Sequence, residues 1–325
     1  MRTVFMGSPE FAVPCLLALH QATQVVAVVS QPDKPSGRGL QLLPPAVKVK
    51  ALELGLPVLQ PTALRPAKSN FVEELRALAP ELVVVVAYGK LLPPEVLAVP
   101  RWGCWNVHGS LLPKYRGAAP IQWALIRNEP VTGVTLMQMD VGMDTGPMLL
   151  KAELPITATD TAGRMHDTLS TLGAQLLATG LSQLLAGTPP SPQQQDEAQA
   201  TKAPMLDKEH GRADFTRSAA ALCAQLRGVD PWPGGFTTLP QVGTAEPLVL
   251  KLFGAKPCSG QGQPGEVLGL ERDGLLVACG DGAVAIGELQ LPGRKRLTAQ
   301  AVLAGFKLPR GTILGAGLRN ALLDG

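Results

Sequence analysis

The run Leu82–Ala87 (LVVVVA) narrows the possible folds more than any other segment. It is too short for an ordinary helix, has no polar alternation and is rich in β-branched residues, so it reads as a strand buried on both faces. Such a strand belongs inside a parallel sheet covered by helices. The neighbouring segments agree. Met1–Gly7 (MRTVFMG) reads as a strand ending at glycine, and Val25–Ser30 (VVAVVS) as another, stopped by Gln31-Pro32. Gly103–His108 (GCWNVH) and Val134–Met139 (VTLMQM) follow Leu82–Ala87 as a fourth and a fifth. Helical spacing occupies Phe11–Ala18, Ala46–Leu54 and Asn70–Leu78. Strands alternating with helices predict an α/β fold with a doubly wound, mostly parallel, Rossmann-like sheet.

A long helix is expected over Thr161–Ala186, where Leu169, Leu172, Leu176, Leu177, Leu181, Leu184 and Leu185 share one face. Gly187-Thr188-Pro189-Pro190-Ser191-Pro192 stops it, and Gln193–Ala203 is polar without a period. Beyond Met205 the pattern changes to short apolar stretches at Pro247–Phe253, Gly265–Leu270, Leu275–Cys279 and Val284–Leu289. Asp273-Gly274 and Asp281-Gly282 supply hairpin turns, and Ala219–Leu226 supplies one helix. The expected organisation is a catalytic α/β domain over 1–188, a linker over 189–204, and a small OB-like β-barrel domain over 205–325.

Hydrophobic residues make up 46% of the 325 residues, enough for substantial cores. No segment approaches the roughly 18 uninterrupted apolar residues of a membrane helix, and Gly7-Ser8-Pro9-Glu10 interrupts any leader, so no membrane association is expected. The five cysteines, Cys15, Cys104, Cys223, Cys258 and Cys279, are widely spaced and contain no C-x-x-C pair. That argues against a zinc module or a disulfide framework and for a reducing, cytoplasmic setting. The formal charge is only +3, but it is unevenly distributed. Arg294, Lys295, Arg296, Lys307, Arg310 and Arg319 occur between Gln290 and Leu323 without an acidic residue, and Lys34, Arg38, Lys48 and Lys50 stand against Asp33 alone. Such patches suit contacts with phosphates or serve as solvated faces.

The turn after the first strand lacks G-x-G-x-x-G, and no Walker sequence or G-x-S-x-G occurs, which disfavours dinucleotides, ATP and serine hydrolysis. The informative stretch is Trp105–Gly117 (WNVHGSLLPKYRG). On a strand, Asn106 and His108 share a face at the carboxyl end, where open α/β sheets bind ligands. An amide can hold a developing oxyanion while an imidazole assists with charge or a proton, although Asn-x-His alone also fits a buried histidine satisfied within its strand. The loop Met139–Gly146 (MDVGMDTG) brings two carboxylates, Asp140 and Asp144, to the same sheet edge, and it also fits a tight Asx turn. His20, His166 and His210 lie outside this pattern.

Those stretches resemble the folate-dependent formyltransferases, and within them the enzymes that act on tRNA. The likeness is carried by FMGSPEFAVP at Phe5–Pro14, QPDKPSGRG at Gln31–Gly39, NVHGSLLPKYRGAAPIQ at Asn106–Gln122, GVTLMQMDVGMDTGPML at Gly133–Leu149 and PWPGGF at Pro231–Phe236. The resemblance implies transfer of a formyl group from 10-formyltetrahydrofolate to the α-amino group of methionine on initiator tRNA, by a monomer that needs no metal. It implies a catalytic trio of Asn106, His108 and Asp144, with Asn106 on the oxyanion, His108 supporting charge and proton transfer, and Asp144 orienting His108. It places folate on Ser110, Leu111, Leu112, Pro113, Tyr88, Gly89, Lys90, Leu91 and Asp140. It places tRNA on Lys34 and Arg38 of one loop and on Arg294, Lys295 and Arg296. Leu40 and Gln41 stand where some relatives carry lysines. A formyltetrahydrofolate hydrolase would share the trio but has no use for a second, basic domain. An amino-sugar formyltransferase lacks a tRNA-type loop, and an inactive RNA-binding homologue would have no need of an intact trio.

Overall fold

The computed structural model describes residues 1–36, 41–239, 247–315 and 320–324. The chain divides into two units. The first comprises Met1–Pro120, Val131–Pro155 and His166–Pro204, and the second Ile121–Pro130, Ile156–Met165 and Met205–Gly325.

The chain opens with β1 (Arg2–Gly7), α1 (Val13–Ala22) and β2 (Gln24–Val29). A two-stranded antiparallel ribbon of β3 (Lys34–Ser36) and β4 (Gln41–Leu43) precedes α2 (Ala46–Glu53), β5 (Val58–Leu59) and α3 (Phe71–Ala77). Then come β6 (Leu82–Val86), α4 (Pro94–Leu97), β7 (Cys104–His108), β8 (Arg116–Gly117), α5 (Pro120–Ile126), β9 (Val131–Gln138), β10 (Met148–Pro155), α6 (Ala162–Leu185) and β11 (Lys202–Ala203). The main sheet has the order β10-β9-β7-β6-β1-β2-β5. Strands β5, β2, β1, β6 and β7 run parallel, whereas β9 is antiparallel to β7 and β10 to β9. Strand β10, not expected from the sequence, lies at the sheet edge and for most of its length alternates between more and less exposed residues.

Every residue of β6 is buried, as its valine run demands. Val83 and Val85 pack with Val4, Met6, Ala27 and Val29 of adjacent strands and with Phe71, Val72 and Leu75 of α3. Each of these valine, methionine, leucine and phenylalanine side chains contributes about 1.5–3 kcal/mol relative to exposure. Helix α6 covers the sheet closely because Gly173 and Gly180 carry no side chain: a Cβ on Gly173 would lie 2.8 Å from Val107 Cγ1, and one on Gly180 would lie 2.6 Å from Leu136 Cδ2. Leu169, Leu177 and Leu181 of α6 are fully buried, while Leu185, expected on the same face, is 49% exposed.

In the second unit α7 (Ala219–Gly228) begins at Ser218, whose hydroxyl accepts the Ala221 N–H. The antiparallel sheet contains β12 (Phe236–Leu239), β13 (Leu248–Cys258), β14 (Val267–Glu271), β15 (Gly274–Ala278), β16 (Ala283–Gln290) and β17 (Leu297–Thr298), followed by α8 (Ala299–Leu303). Its order is β12-β13-β16-β15-β14 with β17 on β16, an open half-barrel. Leu222 and Leu226 of α7 share a core with Leu250, Leu252, Val277, Val284, Ile286 and Leu289. Gly274 turns β14 into β15 at φ +136°, where a side chain would collide with the Ile286 carbonyl. Among the described residues no helix is long and apolar enough to cross a membrane.

Candidate active site

The site is built at the carboxyl end of β7. Trp105 and Val107 point toward the glycines of α6, which leaves Asn106 and His108 on the opposite face. Both are largely buried, at 9% and 6% exposure. Asn106 lies in register between Val85 of β6 and Met137 of β9, so two neighbouring strands fix its position.

His108 has a polar neighbour at each ring nitrogen. Its Nε2 lies 2.9 Å from the Tyr115 carbonyl oxygen. A carbonyl can only accept, so Nε2 carries the hydrogen and the neutral ring presents an unprotonated Nδ1. That Nδ1 faces Asp144 Oδ1 at 3.7 Å. The separation is too long for a direct hydrogen bond and short enough for a strong charge interaction once the ring is protonated. The other carboxylate oxygen of Asp144 accepts the Gly117 N–H at 2.9 Å.

Asp144 and Tyr115 adopt left-handed backbone angles, φ 56° and φ 63°. Non-glycine residues hold such angles only where the surroundings enforce them. Around Asp144, the Asp140 carboxylate accepts the Gly142 N–H at 3.0 Å and the Thr145 hydroxyl at 2.7 Å. A side chain on Gly146 would collide with the Gln138 carbonyl. Asp140 is thus bound into its own loop. For Tyr115, the backbone N–H donates to the Thr201 hydroxyl at 2.9 Å. The 193–203 stretch continues this support: β11 pairs in parallel with β8, and Gln195 donates to the carbonyls of Asp144 and Gly146. Sequence reasoning missed Gln195, whose polar, non-periodic surroundings carry no local signal.

The expected folate residues fall into two groups. Ser110 and Leu112 are fully buried. The Ser110 hydroxyl donates to the Lys114 carbonyl at 2.6 Å, and the Thr135 hydroxyl bridges the Ser110 carbonyl and the Leu112 N–H. Lys151 Nζ donates to the Leu112 carbonyl, Leu112 packs with Met137 and Met148, and Pro113 is buried as well. Leu111 alone of these four is half-buried. The second group follows β6. Ala87 and Gly89 have φ 47° and φ 79°, and the Tyr88 carbonyl accepts Gln31 Nε2 at 2.9 Å. Burial pushes the Tyr88 phenol up to about 12, and its hydroxyl has no hydrogen-bond partner among the described residues. Lys90 donates to the carbonyls of Pro61 and Thr62. Leu91 is exposed and, with Arg65, Leu92 and Val141, lines a cleft of about 540 Å³.

Of the expected tRNA residues, Arg38 lies outside the described residues, and Lys34 is exposed at the start of β3. Lys48 is already paired with Asp33 at 2.8 Å. In the second unit Arg294 and Lys295 are exposed. Arg296 is engaged instead: its guanidinium lies 4.0 Å from the Phe253 ring centroid, and its Nε donates to Glu288 at 2.7 Å. Among the described residues no group of three or more His, Cys, Asp or Glu side chains is placed to hold a metal ion.

Residues 1–181 match the formyl transferase family, and residues 205–307 match the formyl transferase C-terminal domain. The chain is 51% identical to the methionyl-tRNA formyltransferase of Citrifermentans bemidjiense, over 97% of this chain and 96% of that protein. It is 48% identical to the methionyl-tRNA formyltransferase of Geobacter sulfurreducens, over 97% of each. The N-formyltransferase of Helicobacter canadensis, solved with folinic acid and dTDP-3-aminofucose, shares the fold at a TM-score of 0.63 and 18% identity, over 87% of this chain and 97% of that one. End-to-end similarity at this level, with both domains matched, shows that the chain belongs to the methionyl-tRNA formyltransferases of the formyl transferase family.

Proposed function

We propose that this chain transfers the formyl group of 10-formyltetrahydrofolate to the α-amino group of methionyl initiator tRNA, giving N-formylmethionyl-tRNA. The observation that carries the reading is the convergence of Asn106, His108 and Asp144 at one sheet edge in a chain with full-length methionyl-tRNA formyltransferase relatives. An α-amine has a pKa of about 7.7–8.0 in peptides, so a neutral nucleophile is available near neutrality without a strong base. As the amine attacks the formyl carbon, the Asn106 amide donates to the carbonyl oxygen as it becomes an oxyanion. His108 lies beside the same centre and takes up positive charge, which Asp144 stabilises across 3.7 Å. The proton lost by the amine returns, through His108 and a bridging water, to the folate nitrogen that leaves. Collapse of the intermediate breaks the bond from the formyl carbon to that nitrogen.

Leu91 and the cleft it lines suit the apolar faces of folate. Tyr88, Gly89, Lys90 and Ser110 to Pro113 contact the ligand alongside it, the Leu112 amide and carbonyl being already bonded to Thr135 and Lys151. Asp140 keeps the Asp144 loop in shape at the border of the same pocket. Residues 1–188 carry catalysis, 189–204 link the parts, and 205–325 contact tRNA. Arg38, Lys34, Arg294 and Lys295 meet its phosphates, while Arg296 supports that surface through Phe253 and Glu288. The enzyme works as a cytoplasmic monomer. The test is transfer of labelled formyl to initiator methionyl-tRNA, elongator methionyl-tRNA and a nucleotide-linked amino sugar. Rapid labelling of the initiator alone is expected. Labelling of the sugar instead would overturn the reading.

A further inference from the structure

Gln195 is 9% exposed, and both ends of its side-chain amide are occupied. Nε2 donates to the carbonyls of Asp144 and Gly146, each at 2.7 Å. Oε1 accepts from Arg116 Nε at 3.0 Å and Nη2 at 2.8 Å. Arg116 is held in turn by Glu197, with bonds of 2.9 and 2.7 Å. The residue after Arg116 closes a ring, because the Gly117 N–H donates to Asp144 Oδ2. Asp144 is therefore gripped twice from one direction: its backbone by Gln195, and its carboxylate by the strand that braces Gln195.

That arrangement matters because Asp144 sits at φ 56°. A small rotation about this unusual backbone would swing the carboxylate away from His108, and nothing within residues 139–146 bonds the Asp144 carbonyl. An amide is the one neutral side-chain group that can donate twice to carbonyls and accept from a guanidinium at once. We propose that Gln195, braced by Arg116, is a positioning residue that holds the Asp144 carboxylate against His108. The inference rests on the catalytic role assigned to Asp144 above. The alternative is that Gln195 only fastens residues 193–203 to the rest of the first unit.

A double-mutant cycle separates these. Gln195→Met fills similar space without donating or accepting strongly, and Gln195→Ala is the second variant. Gln195→Glu keeps an acceptor for Arg116 but sets a carboxylate oxygen against two carbonyls. Each is made in the wild type and in Asp144→Asn, and kcat and KM are measured for both substrates. Gln195→Met, Gln195→Ala and Gln195→Glu are each expected to lower kcat at least tenfold with both KM values within threefold. In Asp144→Asn the same changes should lower kcat less than threefold, because the charge they position is already gone. Loss of equal size in both backgrounds would overturn the proposal in favour of a fastening role. An impaired Asp144→Asn enzyme beside a normal Gln195→Met enzyme would also remove this inference, and only this one. An Asp144→Asn enzyme at full rate would remove the functional reading and the inference together.

Discussion

Replacing Asp144 by asparagine isolates charge from shape. The carboxylate faces His108 Nδ1 at 3.7 Å, and its side chain is 17% exposed. At an effective dielectric near 20, an ion pair at this distance is worth about 4 kcal/mol. Partial exposure reduces that, so a loss of about 3–4 kcal/mol at the transition state sets the expected rate drop at roughly 10²–10³. Asparagine tolerates the left-handed angle that Asp144 adopts, and its side-chain oxygen still accepts the Gly117 N–H. Alanine would lose that acceptor and add roughly 1–2 kcal/mol of backbone strain, mixing two effects. The assay is single-turnover formyl transfer at saturating concentrations of both substrates, with thermal melts followed by circular dichroism. A melt within a degree or two of wild type and a rate lowered a hundredfold or more are expected. A rate within threefold of wild type, with the melt unchanged, would show that the facing charge takes no part.

Three further outcomes follow from the packing and the surface. Gly173→Ala should gain about 1 kcal/mol of helix propensity but lose about 1–3 kcal/mol to overpacking against Val107, giving a lower melting temperature; a more stable variant would mean α6 can shift outward freely. Exchanging Arg294 and Lys295 together for alanine should flatten the salt dependence of tRNA binding by up to about 1.4 in log–log slope, with folate binding unchanged, and an unaltered slope would remove them from the tRNA surface. Burial holds the thiols of Cys15, Cys104 and Cys279 up at about 12, so at pH 8 they stay protonated, and a thiol-alkylating reagent followed by mass spectrometry should modify Cys258 first; early modification of Cys15 would contradict the packing under α1.

Much of the first unit was legible because its signals are local. The valines of β6 and the leucine spacing of α6 report burial directly. Asn106 and His108 were placed on one face by the two-residue period of a strand, which needs no knowledge of neighbours. Other features are set by residues far apart in the chain. Strand β10 gains its place only by antiparallel pairing with β9, and α5 (PIQWALI) is too short for a period to declare itself. The left-handed angles at Tyr115 and Asp144 are invisible in their side chains, since neither residue is glycine. Residues 193–203 read as a linker because they are polar and non-periodic, yet their bonds reach Arg116 and Asp144, 79 and 51 positions away. The basic run was legible as charge, but the engagement of Arg296 with Phe253 and Glu288 depends on the pairing of β13 with β16.

The central claim is that Asn106 and His108 form the centre at which formyl passes to the amine of methionyl-tRNA. It is tested most directly by rapid-quench tracing of label from 10-formyltetrahydrofolate in the wild type and in an Asn106→Ala, His108→Ala double variant, with folate binding measured alongside. The wild type should place the label on the methionyl amine of initiator tRNA, and the double variant should do so at least about 10³-fold more slowly while binding folate normally, as expected when an oxyanion donor and its neighbouring base are removed. Label released as free formate by the wild type, or transfer by the double variant within tenfold of the wild-type rate, would contradict it.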